Sequence, residues 1–167
     1  MPAKLPILCS FIFFIVLVFG CEKKTHQTPN QITPTTQYPP PNVNESTPQR
    51  VRDLIKIIYA LEQYKLDNKQ YPISSVGYDG LHTNFGVASE EWIKGLAPKY
   101  LDQLPSDPRK NSSGDDQYLY QSDGANYKLI AHNPDDCDLV KKIYPTMIDP
   151  LRDCWAYGFW TKNVNFW

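Results

Sequence analysis

The sequence predicts an α+β domain in which one long N-terminal helix packs on a small antiparallel β-sheet, followed by a disulfide-closed C-terminal loop. Three observations predict it. Apolar side chains recur at helical spacing from Val51 to Leu61, two β-prone runs flank a turn-rich linker between Tyr118 and Ala131, and an even pair of cysteines, Cys137 and Cys154, sits near the end. A helix followed by short strands places that helix over one face of the sheet.

The helix has a start signal in Thr47-Pro48, with Thr as N-cap and Pro at the first helical position. Val51, Leu54, Ile55, Ile58 and Leu61 keep the i, i+3, i+4, i+7 spacing, and Ile57 and Tyr64 widen the stripe. The segment ends near Tyr71-Pro72, because proline disfavours helical geometry in the residue before it. The opposite side, Arg52, Asp53, Lys56, Glu62, Lys65 and Lys69, is expected to be a solvated face. A second, short helix is predicted where Ser89 precedes Glu90, Glu91 and Trp92, with Gly95 and Pro98 limiting its length.

Tyr118-Leu119-Tyr120 and the run Tyr127 to Ala131 are separated by Ser122-Asp123-Gly124-Ala125-Asn126, the pattern of an antiparallel hairpin. A third strand is expected over Trp155 to Thr161. Between the strands and the end lies the stretch bounded by Cys137 and Cys154, which contains Pro145, Pro150 and few apolar residues, so it needs a staple to order. A disulfide there closes a loop of about 18 residues and stabilises by roughly 3 kcal/mol on the chain-entropy model. The competing reading makes Cys137 a nucleophile with His132 as base, but Asp135, Asp136 and Asp138 oppose a lowered thiol pKa.

The staple reading requires an oxidising compartment, and the N-terminus supplies the address. The apolar run Leu5 to Phe19 follows Lys4, contains Pro6, and at about fifteen residues is short of the roughly 20 that a membrane-spanning helix needs. It has the form of the apolar core of an export signal. Val18-Phe19-Gly20-Cys21 resembles the lipobox of bacterial lipoproteins, departing from it at Phe19 where a small residue is usual. That resemblance implies cleavage after Gly20 and attachment of fatty-acyl groups such as palmitate through Cys21, the expected membrane anchor; an uncleaved signal anchor is the alternative. More than one acyl chain suffices for stable anchoring. The chain then divides into a signal peptide (1–20), a Pro/Thr-rich tether (21–47) and a globular domain (48–167). The tether carries six Pro and six Thr over residues 22 to 48, too few apolar groups to offset ordering entropy, and reads as a spacer.

Chemistry is sparse. With 17 Lys and Arg against 18 Asp and Glu, the formal charge of −1 gives no footprint for nucleic acid. No nucleophile elbow, paired-histidine zinc motif, CxxC pair or phosphate loop occurs. His26, His82 and His132 lack metal-ligand spacing; the acids Asp115-Asp116 and Asp135-Asp136 with Asp138 suit calcium as a hard cation but lack an EF-hand pattern, so solvated loops are the expectation, calcium ligation the alternative, and no metal or cofactor is assigned. Carboxylate pairs for hydrolysis are not read from sequence, since such partners need not be neighbours in the chain. The final residues carry Trp155, Tyr157, Phe159, Trp160, Phe166 and Trp167. Core packing is the expectation for Trp155 to Trp160. Trp160, Phe166 and Trp167 are the candidate binding surface, suited to stacking on glycan or peptide.

Tyr64, Lys65, Asp67, Asn68, Tyr71 and Pro72, followed by Tyr100, Leu101, Leu104, Pro105, Asp107 and Pro108, then by the run 118–131, form two ordered motifs before a hairpin. In this order the chain resembles the globular domains of type IV pilin-like proteins, particularly the major pseudopilins of type II secretion. The resemblance covers roughly residues 50 to 131 and implies a pilin-like fold, a structural role and protein partners among pilin or secretion components. The loop from Cys137 to Cys154 is similar to the C-terminal disulfide loop of many type IV pilins. No calcium ligand carries over by position. The chain departs from the family where pilins keep an apolar helix after a Gly, because here the apolar run precedes Gly20-Cys21 and a tether follows.

The expected protein is therefore a non-enzymatic, lipid-anchored, extracytoplasmic component of a secretion or pilus-type apparatus, periplasmic or at the cell surface. The alternatives are a surface module that binds glycan or peptide through the terminal aromatics and, further off, a hydrolase.

Overall fold

The computed structural model describes residues 46–82, 84–109 and 115–167. The expected signal peptide, the expected anchor Cys21 and the expected tether as far as residue 45 lie outside the described residues. Among the described residues no helix is long and apolar enough to cross a membrane.

Helix α1 runs from Ser46–Asn68, two residues earlier at its start and three shorter at its end than the sequence predicts. Thr47 is therefore inside the helix rather than capping it. The helix stops because Lys69 takes the left-handed conformation at φ 65°, its N–H still bonded back to the carbonyl of Lys65 at 2.8 Å. Val51, Leu54, Ile57 and Leu61 are buried, while Ile55, Ile58 and Tyr64 are half-buried at the edge of the stripe.

The sheet has five antiparallel strands, β1 (Asp79–Gly80), β2 (Tyr118–Ser122), β3 (Tyr127–His132), β4 (Ile148–Asp149) and β5 (Asp153–Trp160), in the order β1-β2-β3-β5-β4. The predicted hairpin is present, with Tyr120 opposite Leu129 and Ser122 opposite Tyr127. Strand alternation sends Tyr118, Tyr120, Tyr127, Leu129, Ala131 and Tyr157 into one core with α1. Leu119, Ile130 and Ala156 cluster with Tyr78 on the other face. The predicted third strand is β5, extended at its start to Asp153. It carries Gly158, whose backbone lies so close to β3 that an added Cβ would stand 2.1 Å from the Leu129 carbonyl oxygen.

The helix predicted at Ser89 to Trp92 is absent. Ser89 Oγ instead accepts from the Glu91 N–H at 3.1 Å, and Glu91 Oε1 accepts from the Gly95 N–H at 3.2 Å. Gly95, at φ 73°, turns the chain away before a helical ladder forms, and the stretch to Tyr100 is a series of turns. The segment between the cysteines is more ordered than its composition suggests, holding helix α2 (Cys137–Ile143), a 3-10 turn (Pro145–Met147) and β4. Asp136 caps α2 by accepting the Leu139 N–H at 2.9 Å. Cys137 and Cys154 are joined by a disulfide across 5.3 Å between their Cα atoms.

Candidate functional site

The two sequence motifs meet in space. Segment 95–109 is fastened along α1 like a strap, held at both ends. At the C-terminal end of α1, Tyr64 and Tyr100 pack edge to face with ring centroids 5.3 Å apart. The Tyr100 hydroxyl donates to Asp67 Oδ2 at 2.9 Å and accepts from Asn68 Nδ2 at 3.1 Å and from Lys99 Nζ at 2.8 Å. Lys99 also pairs with Asp67 at 2.8 Å. Hydrogen bonds from Lys99 and Tyr100, with the charge of Lys99, hold the Asp67 carboxyl below its ordinary value and raise Lys99 in turn. One turn of chain further on, Tyr71 donates to Glu62 Oε1 at 2.9 Å under the Lys65 ammonium, so Tyr71 also reaches back to α1.

At the other end the fastening is buried and ionic. Arg50 is fully buried and its Nε donates to Asp107 Oδ2 at 2.7 Å. Its Nη1 donates to the Asn133 carbonyl at 3.1 Å and its Nη2 to the His132 carbonyl, so one guanidinium ties α1 to the strap and to the end of β3. Burial works against the Arg50 charge, but Tyr157 and Asp107 outweigh it and hold its pKa above the ordinary value. Arg109 continues the cluster, donating to Asp116, Asp135 and the Asn133 carbonyl. Asp53, which the sequence places on a solvated face, is instead buried. It accepts from the Tyr118 hydroxyl at 3.0 Å and from Gln49 Nε2 at 2.7 Å. Helical spacing alone gave no signal for Arg50 or Asp53, since a charged residue at the margin of an apolar stripe is normally exposed.

Between the two fastenings lies a cleft of about 460 Å³ lined by Gln49, Asp53 and Lys56 from α1 and by residues 101–103, 105 and 106 of the strap. A second, shallower cleft of about 370 Å³ lies along the strap's outer side, against Glu90, Glu91 and Pro98. Both are open; the first is lined mainly by polar atoms and the second mainly by apolar ones. Among the described residues no group of three or more His, Cys, Asp or Glu is arranged to hold a metal ion. Of the acids singled out in the sequence, Asp116 and Asp135 pair with Arg109 and Asp136 caps a helix.

The proposed Cys137 nucleophile is excluded in this state, because its sulfur is bonded to Cys154 and His132 Nδ1 lies 2.7 Å from the Asp115 carbonyl oxygen. The residues of the candidate aromatic surface differ in exposure. Phe166 is 78% exposed, Trp160 and Trp167 are half-buried, and the Trp160 ring lies 5.0 Å under the Lys128 ammonium. Trp155, expected in the core, is 66% exposed because it lies where β5 leaves the cover of the sheet.

The motifs thus serve a fold that fastens a loop to a helix. A model of the family described as type II secretion system (T2SS), protein G, matches residues 42–138, more than half of the chain. The chain belongs to this family. Members are major pseudopilins, structural rather than enzymatic, which act outside the cytoplasm in association with other secretion components. The match reaches one residue past Cys137, so β4, β5 and Cys154 lie beyond it. No curated protein and no solved structure matches the chain significantly.

Proposed function

We propose that this chain is a lipid-anchored, non-enzymatic pseudopilin-domain protein that serves a secretion apparatus through protein contacts on the extracytoplasmic side of a bacterial membrane. The observation that carries the reading is the family match over residues 42–138, in which the strap and α1 are joined by the residues of the two motifs. The anchor reading rests on the sequence before the domain, where an apolar run ends at Gly20-Cys21 and a Pro/Thr-rich spacer follows. A lipid on Cys21 would hold the domain at the membrane while the spacer lets it reach partners.

Intact mass of the protein from its native membrane tests the anchor. A species starting at Cys21 with added acyl mass supports it, and an uncleaved chain overturns it in favour of a signal anchor. Chemical cross-linking in the same membranes tests the partner class, with pseudopilin or other secretion components as the expected adducts.

A second reading, a surface module for glycan or peptide, is favoured by one observation, the exposure of Phe166 and Trp155. Replacing both with alanine would abolish such binding while leaving cross-linking to secretion components intact.

A further inference from the structure

The face of the sheet opposite α1 carries a buried charge cluster that neither motif uses. Lys128, on β3, is fully buried, and its ammonium donates in three directions: to Asp149 Oδ2 at 3.0 Å, to the Asn165 carbonyl at 3.1 Å and to the Trp167 main-chain oxygen at 3.1 Å. Arg152 Nη1 reaches the same Asp149 oxygen at 2.8 Å and the same Trp167 oxygen at 2.6 Å. Segment 161–167 is thereby folded back over the sheet, with Val164 buried, and its own backbone bonds are two turns, Val164 N–H to Thr161 and Trp167 N–H to Val164, each 3.2 Å. So short a segment has little internal structure to hold it. Thr161 is bonded to Tyr127 and Asn126 at the root of the segment; beyond it the polar attachment is Lys128 together with Asp149 and Arg152, and both of those partners lie inside the stretch closed by the Cys137–Cys154 disulfide.

We propose that the disulfide is the control of a latch: it fixes Asp149 and Arg152 against Lys128, and its reduction releases segment 161–167 and uncovers the second face of the sheet around Lys128 and Trp160. A dithiol reductant balances the step, its two thiols becoming a disulfide as the Cys137–Cys154 bond takes up two electrons and two protons to give two thiols. Once Asp149 is no longer fixed, a buried ammonium without its carboxylate is strongly unfavourable, and it regains water only if the segment above it leaves. The latch is separable from the strap and α1, which lie on the opposite face and are held by Arg50 and Asp107.

Hydrogen exchange read by mass spectrometry on the full-length protein tests this, before and after treatment with dithiothreitol, with alkylation mapped at Cys137 and Cys154. Reduction is expected to speed exchange of peptides within 161–167 by about tenfold or more while peptides of α1 keep their rates, as a local opening requires. Unchanged exchange in 161–167 with both thiols alkylated overturns the proposal. Loss of protection in α1 as well also overturns it, since the disulfide would then be a staple of the whole domain. Asp149→Asn, with the disulfide intact, is expected to release the same segment, and continued protection there in the variant refutes the latch independently of redox chemistry.

Discussion

Replacing Asp107 tests the idea that the strap is held to α1 by ionic pairing more than by packing. Asp107→Ala removes the only carboxylate bonded to Arg50 among the described residues, a partner reached at 2.7 Å by Nε and at 2.6 Å by Nη2, and leaves the cation with no exposed surface. Breaking a buried pair by deleting one partner costs about 3–5 kcal/mol, because the remaining charge stays desolvated. Arg50 keeps the carbonyls of His132 and Asn133, which places the loss near the lower bound, about 3 kcal/mol. For a domain of this size that corresponds to a fall in Tm of roughly 10 to 15 °C. Replacing both partners by apolar groups, Arg50→Met with Asp107→Leu, removes the unpaired charge and is expected to restore most of the loss. Urea denaturation of the wild type, Asp107→Ala and the double variant, all with the disulfide intact, measures each difference. A loss below about 1 kcal/mol in Asp107→Ala, or a double variant less stable than the single, would refute the reasoning.

Three other outcomes follow from particular contacts. Tyr100→Phe removes the hydroxyl that donates to Asp67, so the Asp67 pKa rises toward its ordinary value in a carboxyl NMR titration; because the depressed pKa contributes stability present above the unfolded value and lost as pH falls through the folded one, the variant is less sensitive to acid. Burial raises the pKa of Tyr78 to about 12 and pushes Tyr118, Tyr120, Tyr127 and Tyr157 up as well. Their contribution is complete below the unfolded tyrosine pKa of about 10 and falls by roughly 1.4 kcal/mol per pH unit for each above it, so absorbance of phenolate is expected to rise together with the loss of near-ultraviolet circular dichroism; separate transitions would contradict it. Gly158→Ala places a Cβ 2.1 Å from the Leu129 carbonyl oxygen and 2.7 Å from the Ile130 Cα, both backbone atoms that yield little, and is expected to cost about 1–3 kcal/mol in denaturant unfolding.

Periodicity made the long helix legible because Val51, Leu54, Ile57 and Leu61 repeat at its pitch, and Tyr-rich runs on either side of an Asp-Gly turn made the hairpin legible. Local signals misled where the chain's own turns compete with helix. Ser89 and two acids look like a helix start, but the side chains of Ser89 and Glu91 cap isolated turns, and Gly95 ends the stretch. Trp155 and Asp53 exchanged their expected places, the one to solvent and the other to the interior, because residue type reports an average preference and the hydroxyl of Tyr118 alters the balance for Asp53.

The sequence by itself determined the α+β class, the pair of cysteines and the two motifs, since helical spacing, strand propensity and proline act over a few neighbouring residues. Tertiary structure alone decided that the motifs clasp each other, that Arg50 crosses from helix to strap 57 residues away, and that Lys128 binds a segment 37 and 39 residues further on. Such pairings depend on which groups folding excludes from water together, and separation along the chain carries no record of that.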